Sequence, residues 1–292
     1  MKKVSIIIPT YNRKDFIKTA VESSLKQTYP KVEIIVIDDN SDYEIYDVLK
    51  EFEEKILIIK NKHNIGCAAT QNKAIRKSSG DYITILDDDD IFHPKKIERQ
   101  MKIFNRKKNV GLVYCPIAKR INNRLIYKPL TERNNVWIRL THKNTIGITP
   151  LIKKECFSVC GFFDTSLEYH EDRDLWYRIG KEFEFGFDEN PSYIVYNHSI
   201  SRLSSQIEKI CSGKKALYEK HKHDFEDEDK YYADLHFELA YEYLKFSGYR
   251  NFLKHFRKSI SKNLRCIKDG LKIPLDRFGF GERCTMIDED LC

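Results

Sequence analysis

A chain of 292 residues can bury a substantial core, so one large α/β domain with a helical appendage is expected rather than two equal domains. Its 41% hydrophobic and 33% charged residues fit a soluble protein, and without a run of about 18 apolar residues a membrane-spanning helix is not expected. The net charge of +7 is unevenly spread: residues 224–242 hold eight acidic residues and one basic, residues 245–272 nine basic and one acidic.

The basic block predicts an electropositive patch near the C-terminus that suits an anionic membrane, whereas nucleic acid is not expected because no binding motif accompanies it. Eight cysteines lack paired C-x₂-C spacing, which favours reduced packing thiols in a cytoplasmic protein. The N-terminus runs straight into Val4-Ser-Ile-Ile-Ile8 and breaks at Pro9, too short a stretch for a secretory signal.

In chain order, Val4 to Ile8 reads as a first buried strand, ended by Pro9, Thr10, Tyr11 and Asn12. Phe16, Ile17, Ala20, Val21 and Leu25 then recur at helical spacing. Val32 to Ile37 is a second strand, stopping at Asp38 and Asp39, and Ile45, Val48, Leu49 and Phe52 outline the next amphipathic helix. Ile56 to Ile59 is the third strand, Asn64-Ile-Gly66 a break, and Cys67 to Lys77 a helix. Tyr82 to Leu86 is the fourth strand, and it stops in four carboxylates, Asp87 to Asp90.

This β-α-β-α-β-α-β series predicts a parallel sheet covered by helices, whose ligands collect beyond the carboxyl ends of the strands. That is where Thr10, Tyr11, Asn12, Asp38, Asp39 and the acidic run fall. Four adjacent anions repel one another and need water, cationic partners or a bound cation, and carboxylate oxygens suit a hard divalent ion that also holds phosphates. The first turn has no G-x-G-x-x-G, and no P-loop sequence occurs, so a nucleotide diphosphate has to be neutralised in another way. Asp38 is read as a turn or cap, and Asp90 as a cap for the helix that Pro94 begins.

Ile6-Ile-Ile-Pro-Thr-Tyr-Asn12, Val36-Ile-Asp-Asp-Asn-Ser41, Asn64-x-Gly66 followed by Ala69 and Asn72, Gly80-Asp-Tyr-Ile83 and Leu86-Asp-Asp-Asp-Asp90 occur in order. Together they resemble the inverting glycosyltransferases of family 2, over about residues 3–200. The resemblance implies a GT-A fold, a Rossmann-like, mostly parallel sheet flanked by helices, for a catalytic domain at 1–205, with 206–292 a helical C-terminal extension. It implies a nucleoside-diphosphate-sugar donor, a UDP-sugar, assisted by Mn²⁺ or Mg²⁺. Pro9, Thr10 and Tyr11 would line the nucleotide pocket with Asn12 and Gly66, and Asp39 would accept a hydrogen bond from the base. Asp87 to Asp89 would be the DXD motif, with Asp87 toward the ribose and metal, Asp88 in the variable middle place beside the donor and Asp89 the main metal ligand.

Tyr169-His-Glu-Asp-Arg-Asp-Leu-Trp-Tyr-Arg178 resembles the family segment in which an acidic pair opens a helix. Its last acid would be the general base, here Asp172 beside Glu171, taking a proton from the acceptor hydroxyl as that oxygen attacks the anomeric carbon. Asp174 is read as mostly structural. Tyr196 to Ser205 resembles a closing segment in which His198 would add a metal ligand and Arg202 would meet the diphosphate.

Between these signals, residues 120–145 read as an irregular polar stretch suited to acceptor recognition. From Gln206 the pattern is helical, with Leu235, Leu239, Tyr243 and Phe246 on one face and a basic amphipathic helix from about Tyr249. That helix either packs on the catalytic domain or rests on a membrane where lipid-linked acceptors are found. The expected reaction is sugar transfer to a hydroxyl of a glycan or lipid-linked acceptor. A sugar-nucleotide nucleotidyltransferase would need a basic, Gly-rich triphosphate loop, and a silent sugar-nucleotide-binding scaffold would function without Asp172.

Overall fold

The computed structural model describes residues 1–121, 124–127, 146–196, 207–225, 228–245, 249–262 and 285–287. Its centre is a seven-stranded sheet. The first strand β1 (Val4–Thr10) pairs in parallel with β2 (Val32–Asp38) on one side and β4 (Tyr82–Ile85) on the other. β2 carries the edge strand β3 (Leu57–Lys60), and β4 is followed across the sheet by β9 (Leu151–Lys153), β6 (Val110–Tyr114) and β10 (Glu184–Phe187). Only β9 runs antiparallel to its neighbours. The sheet is therefore mostly parallel, as the strand–helix alternation predicts.

The continuous apolar run of β1 follows from burial on both faces. Val4, Ile6 and Ile8 pack into one core with Ile17, Val21, Leu49 and Phe104, while Ile7 packs into the opposite core with Ile35, Ile75, Leu175 and Trp176. The first core is covered by α1 (Ile17–Leu25), the short α2 (Ile45–Val48) and α4 (Lys96–Arg106). The second is covered by α3 (Cys67–Lys77), α5 (Lys154–Cys160) and α6 (Glu171–Glu182).

Two local expectations are corrected. The helix expected through Phe52 stops at Val48 and continues as a 3₁₀ turn over Lys50–Phe52, which still buries Leu49 and Phe52 while tightening the chain toward β3. Part of the stretch read as irregular is a hairpin, β7 (Ile117–Ile121) against β8 (Arg124–Tyr127); residues 128–145 lie outside the described residues. β7 also pairs with β11 (Tyr193–Tyr196), which pairs in turn with β5 (Asp90–Phe92). With β12 (Thr285–Ile287) on β8, these strands form a second, five-stranded sheet.

After residue 206 come α7 (Ile207–His221), α8 (Glu228–Lys245) and α9 (Tyr249–Lys262). Tyr218, Tyr231, Leu235, Leu239 and Tyr243 form their shared core, as the helical spacing predicts; Phe246 lies outside the described residues. α9 lies on α8 through buried His255 and Ser259, leaving Arg250, Leu253, Lys254, Arg257 and Lys258 exposed. No helix among the described residues is long and apolar enough to cross a membrane.

Candidate active site

The carboxyl ends of β1, β2 and β4 meet along one edge, and their loops are bonded to one another. Thr10 donates its hydroxyl proton to Asp88 at 2.6 Å, and the Asp39 amide donates to the Thr10 carbonyl at 2.9 Å. Asn12 and Asn40 adopt positive φ, a conformation that asparagine tolerates better than most residues. The Asn12 amide donates to Ser41 Oγ at 2.9 Å, and its side-chain oxygen accepts the Asp42 amide at 3.0 Å. Asp38 caps this turn by accepting from the Ser41 amide and hydroxyl, as expected. Pro9 is half-buried beside these groups, while Tyr11 stands exposed.

Asp39 is buried and shapes the neighbouring wall. Its Oδ1 accepts from Asn61 Nδ2 at 2.8 Å and the Ile65 amide at 2.9 Å, and its Oδ2 accepts the Gly66 amide at 2.9 Å. Gly66 has φ +86° with open space where a Cβ would stand, so its backbone conformation, not crowding, calls for glycine. The turn delivers Cys67, the first residue of α3, to an exposed position.

In the acidic run the four aspartates part company. Ligand oxygens of Asp87, Asp89 and Asp90 lie within 4.8 Å of one another, which suits a hard divalent cation bound through oxygen. Asp88 is excluded from that cluster: buried, it accepts from Thr10 and from the Tyr11 backbone, and burial followed by the charge of Asp89 raises its pKa to about 7. Asp88, expected beside the donor, ties the ends of β1 and β4 together through Thr10.

The helix cap expected of Asp90 is corrected. Asp90 belongs to β5 and caps no helix: α4 starts six residues later, after Lys95, without a side-chain cap. Strand pairing with β11 brings buried Tyr193 next to it, and the Tyr193 hydroxyl accepts the Asp87 amide at 3.2 Å. Asp87 is held well above the usual carboxylate range by burial, then by Asp90, Asp89, Asp88 and Glu171. A cation relieves that repulsion. Arg13 Nη1 meets Asp89 Oδ2 at 3.3 Å, a contact unforeseen in the sequence although Arg13 directly follows the Pro-Thr-Tyr-Asn turn.

Glu171 and Asp172 open α6, preceded by His170 at φ +66°. Glu171 lies near the acidic cluster, since its charge acts on both Asp87 and Cys67. Burial and then the Asp172 charge push the Glu171 carboxyl above its ordinary range. Asp172 Oδ1 accepts the Arg173 amide at 2.7 Å. Asp174 turns away, fully buried between Arg178, Lys220 and His221, in the structural role expected. His198 and Arg202 lie outside the described residues.

The mostly parallel sheet flanked by helices, with a cation-ready acidic turn at one edge and a second acidic pair near it, has the GT-A architecture. Two solved structures share it: TarS of S. aureus in complex with UDP-GlcNAc, and the mannosyltransferase PcManGT of Pyrobaculum calidifontis in complex with GDP-Man and Mn²⁺. The first gives a TM-score of 0.67 at 17% identity over 91% of this chain and 81% of that one. The second gives 0.61 at 17% identity over 94% and 81%. The glycosyl transferase family 2 model matches residues 5–170, and the chain belongs to that family.

An uncharacterized glycosyltransferase of Rickettsia prowazekii is 35% identical over 194 residues, 63% of this chain and 61% of that protein. The match thus spans less than two thirds of that relative's length. The UDP-Glc:alpha-D-GlcNAc-diphosphoundecaprenol beta-1,3-glucosyltransferase WfgD of Escherichia coli is 31% identical over 212 residues, 72% of this chain and 80% of that protein.

Proposed function

We propose that the protein is a metal-dependent inverting glycosyltransferase that moves a sugar from a UDP-sugar to a hydroxyl of a glycan or lipid-linked acceptor. The observation that carries the reading is the meeting of Asp87, Asp89 and Asp90 with the Thr10–Asn12 turn and Asp39 at one sheet edge. Thr10, Tyr11 and Asn12 line the nucleotide pocket with Pro9 and Gly66, and the spare lone pair of Asp39 Oδ2 accepts from the base. Asp87, Asp89 and Asp90 hold Mn²⁺ or Mg²⁺, which when bound offsets the charge of the leaving diphosphate.

Asp172 is the general base. In the family segment that this stretch resembles, the last acid of the pair takes the proton, and here that acid is Asp172 in the first turn of α6. As the acceptor oxygen attacks the anomeric carbon, its proton passes to Asp172 and the bond to the diphosphate breaks on the opposite face, so configuration inverts. The lipid-linked acceptor is supported by the name of WfgD and by the exposed cations of α9, which suit an anionic membrane.

The test is a panel of UDP-, GDP- and dTDP-sugars assayed for nucleotide release with Mn²⁺ and with EDTA. Turnover of a UDP-sugar that EDTA abolishes is expected. Failure of every sugar nucleotide to be cleaved or to raise the melting temperature overturns the reading.

A further inference from the structure

The helix start that carries Glu171 and Asp172 has weak support of its own. Glu171, Asp172 and Asp174 crowd its first turn, and His170 makes no side-chain cap. The helix dipole favours acids there, but their mutual repulsion opposes it, and an uncapped first turn frays readily. The order of the acid pair therefore needs support beyond the bond from the Arg173 amide to Asp172 within α6.

It comes from the C-terminal helices, which grip the chain on both sides of the pair. On the N-terminal side, Gly213 of α7 lies so close to Tyr169 that an added Cβ would stand 2.6 Å from the Tyr169 Cβ and 2.9 Å from its carbonyl oxygen. His170 also bonds to the backbone of Ile210. On the C-terminal side, Asp174 Oδ1 meets Lys220 Nζ and His221 Nε2, each at 2.8 Å. Lys220 also holds Asp164 at 2.5 Å, and the His221 ring lies 4.4 Å from that of Tyr177.

Arg173, next to the pair, is 2% exposed and sits in the field of Glu238, then Asp172 and Glu242. Both glutamates belong to α8, and both hold Lys214 of α7 at 3.0 Å. Unpaired buried charges of this kind are costly, so the network fixes α7, α8 and the start of α6 relative to one another.

We propose that α7 and α8 form a positioning clamp for the Glu171–Asp172 pair, acting through Gly213, His221 and the Glu238–Lys214–Glu242 triad. The clamp rests on reading that pair as the proton-accepting site. None of its residues touches substrate; they hold the carboxylates where the acceptor hydroxyl arrives. Misplacement of a catalytic group by about 1 Å costs up to about a hundredfold in rate, which sets the expected effect.

The test uses the full chain with His221→Ala and Gly213→Ala, and His221→Gln as the conservative variant that restores an N–H toward Asp174. If His221→Ala does not fold, Glu238→Gln, which neutralises one of the two carboxylates on Lys214, reads the same device. Three quantities are measured: kcat for the UDP-sugar cleaved in the panel above, the Kd for UDP with Mn²⁺, and amide exchange. Expected are a fall in kcat of about ten- to a hundredfold, a UDP affinity within about twofold, and faster exchange confined to residues 169–176. His221→Gln should regain most of kcat.

Unchanged kcat and exchange in the alanine variants overturn the clamp. So does faster exchange across the whole chain with lost UDP binding, which marks plain destabilisation. Asp172→Asn separates the two levels. If it loses transfer while His221→Ala and Gly213→Ala are normal, only the clamp fails; if it transfers normally, the assignment of the base fails first.

Discussion

The Thr10 hydroxyl donates a 2.6 Å hydrogen bond to Asp88, tying the end of the first strand to the acidic turn beyond the fourth. Asp88 is buried, so its acceptor oxygens depend on that hydroxyl and the Tyr11 amide. Thr10→Val keeps the shape and removes the donor, which should cost about 1–3 kcal/mol through an unsatisfied buried carboxylate. Thermal melting checks this: Thr10→Val should melt lower than the wild type, and Thr10→Ser close to it.

Asp90 offers a sharper contrast, because a helix cap and a metal ligand differ in what their loss does. With its oxygen within 4.8 Å of those of Asp87 and Asp89, Asp90→Asn should weaken UDP binding in the presence of Mn²⁺ by about tenfold or more, as Asp89→Ala should. Without the cation, both variants should bind UDP like the wild type. Calorimetry with Mn²⁺ and with EDTA checks both; equal wild-type affinity in the two conditions would remove the metal role.

A pH effect is expected far from the cleft, at the opposite end of the strands. Burial opposes ionisation of Glu33, but bonds from Lys3, Ser5 and Ser79 outweigh it and lower its pKa to about 2. A carboxyl with a lowered folded pKa stabilises the protein above its unfolded pKa, and that stability is lost as pH falls toward the folded value. Because Glu33 is partly exposed, the contribution is discounted to about 1–2 kcal/mol. Glu33→Gln should thus lower the melting temperature near neutral pH, with the difference shrinking between about pH 4.5 and pH 2.

The alternation of strands and helices was legible because buried parallel strands are written as unbroken apolar runs, and Cys67 to Lys77 falls on the helix read from spacing. The polar strand ends were legible for the same topological reason. Direction within the acidic run was not, since adjacent aspartates look alike until tertiary contacts sort them. Asp88 turns to Thr10 only because β1 and β4 are neighbours, and Asp90 joins the cluster only because β5 pairs with β11. Lys96 was equally hidden. At the start of a helix it reads as solvent-facing, yet it is fully buried, bonded to Thr84 and Gln100 and lying over the Phe92 ring. The clamp's contacts with Asp174 join residues 46 and 47 positions apart, beyond the reach of any local pattern.

The basic stripe of α9 has a salt signature. Arg250, Leu253, Lys254, Arg257 and Lys258 are exposed along one side, while His255 and Ser259 are buried toward α8. Each cation near an anionic bilayer contributes about 1 kcal/mol, screened over about 10 Å at moderate salt. The protein should float with vesicles containing anionic lipid at low salt, dissociate at high salt, and lose binding when Lys254 and Arg257 become Glu. No flotation at low salt would remove the membrane contact.

Asp172→Asn isolates proton transfer from donor binding. The substitution keeps the size of the side chain and its ability to accept the Arg173 amide, so the start of α6 should keep its geometry. It removes the basic oxygen, and the loss of a general base costs about 10²–10⁴ in rate. Glu171, the other acid in the first turn of α6, is tested beside it by Glu171→Gln. The expected result is UDP affinity like that of the wild type and transfer reduced by about 10²–10⁴. Full transfer by Asp172→Asn would assign the base elsewhere, and full transfer by Glu171→Gln beside an inactive Asp172→Asn would leave Asp172 alone in the role.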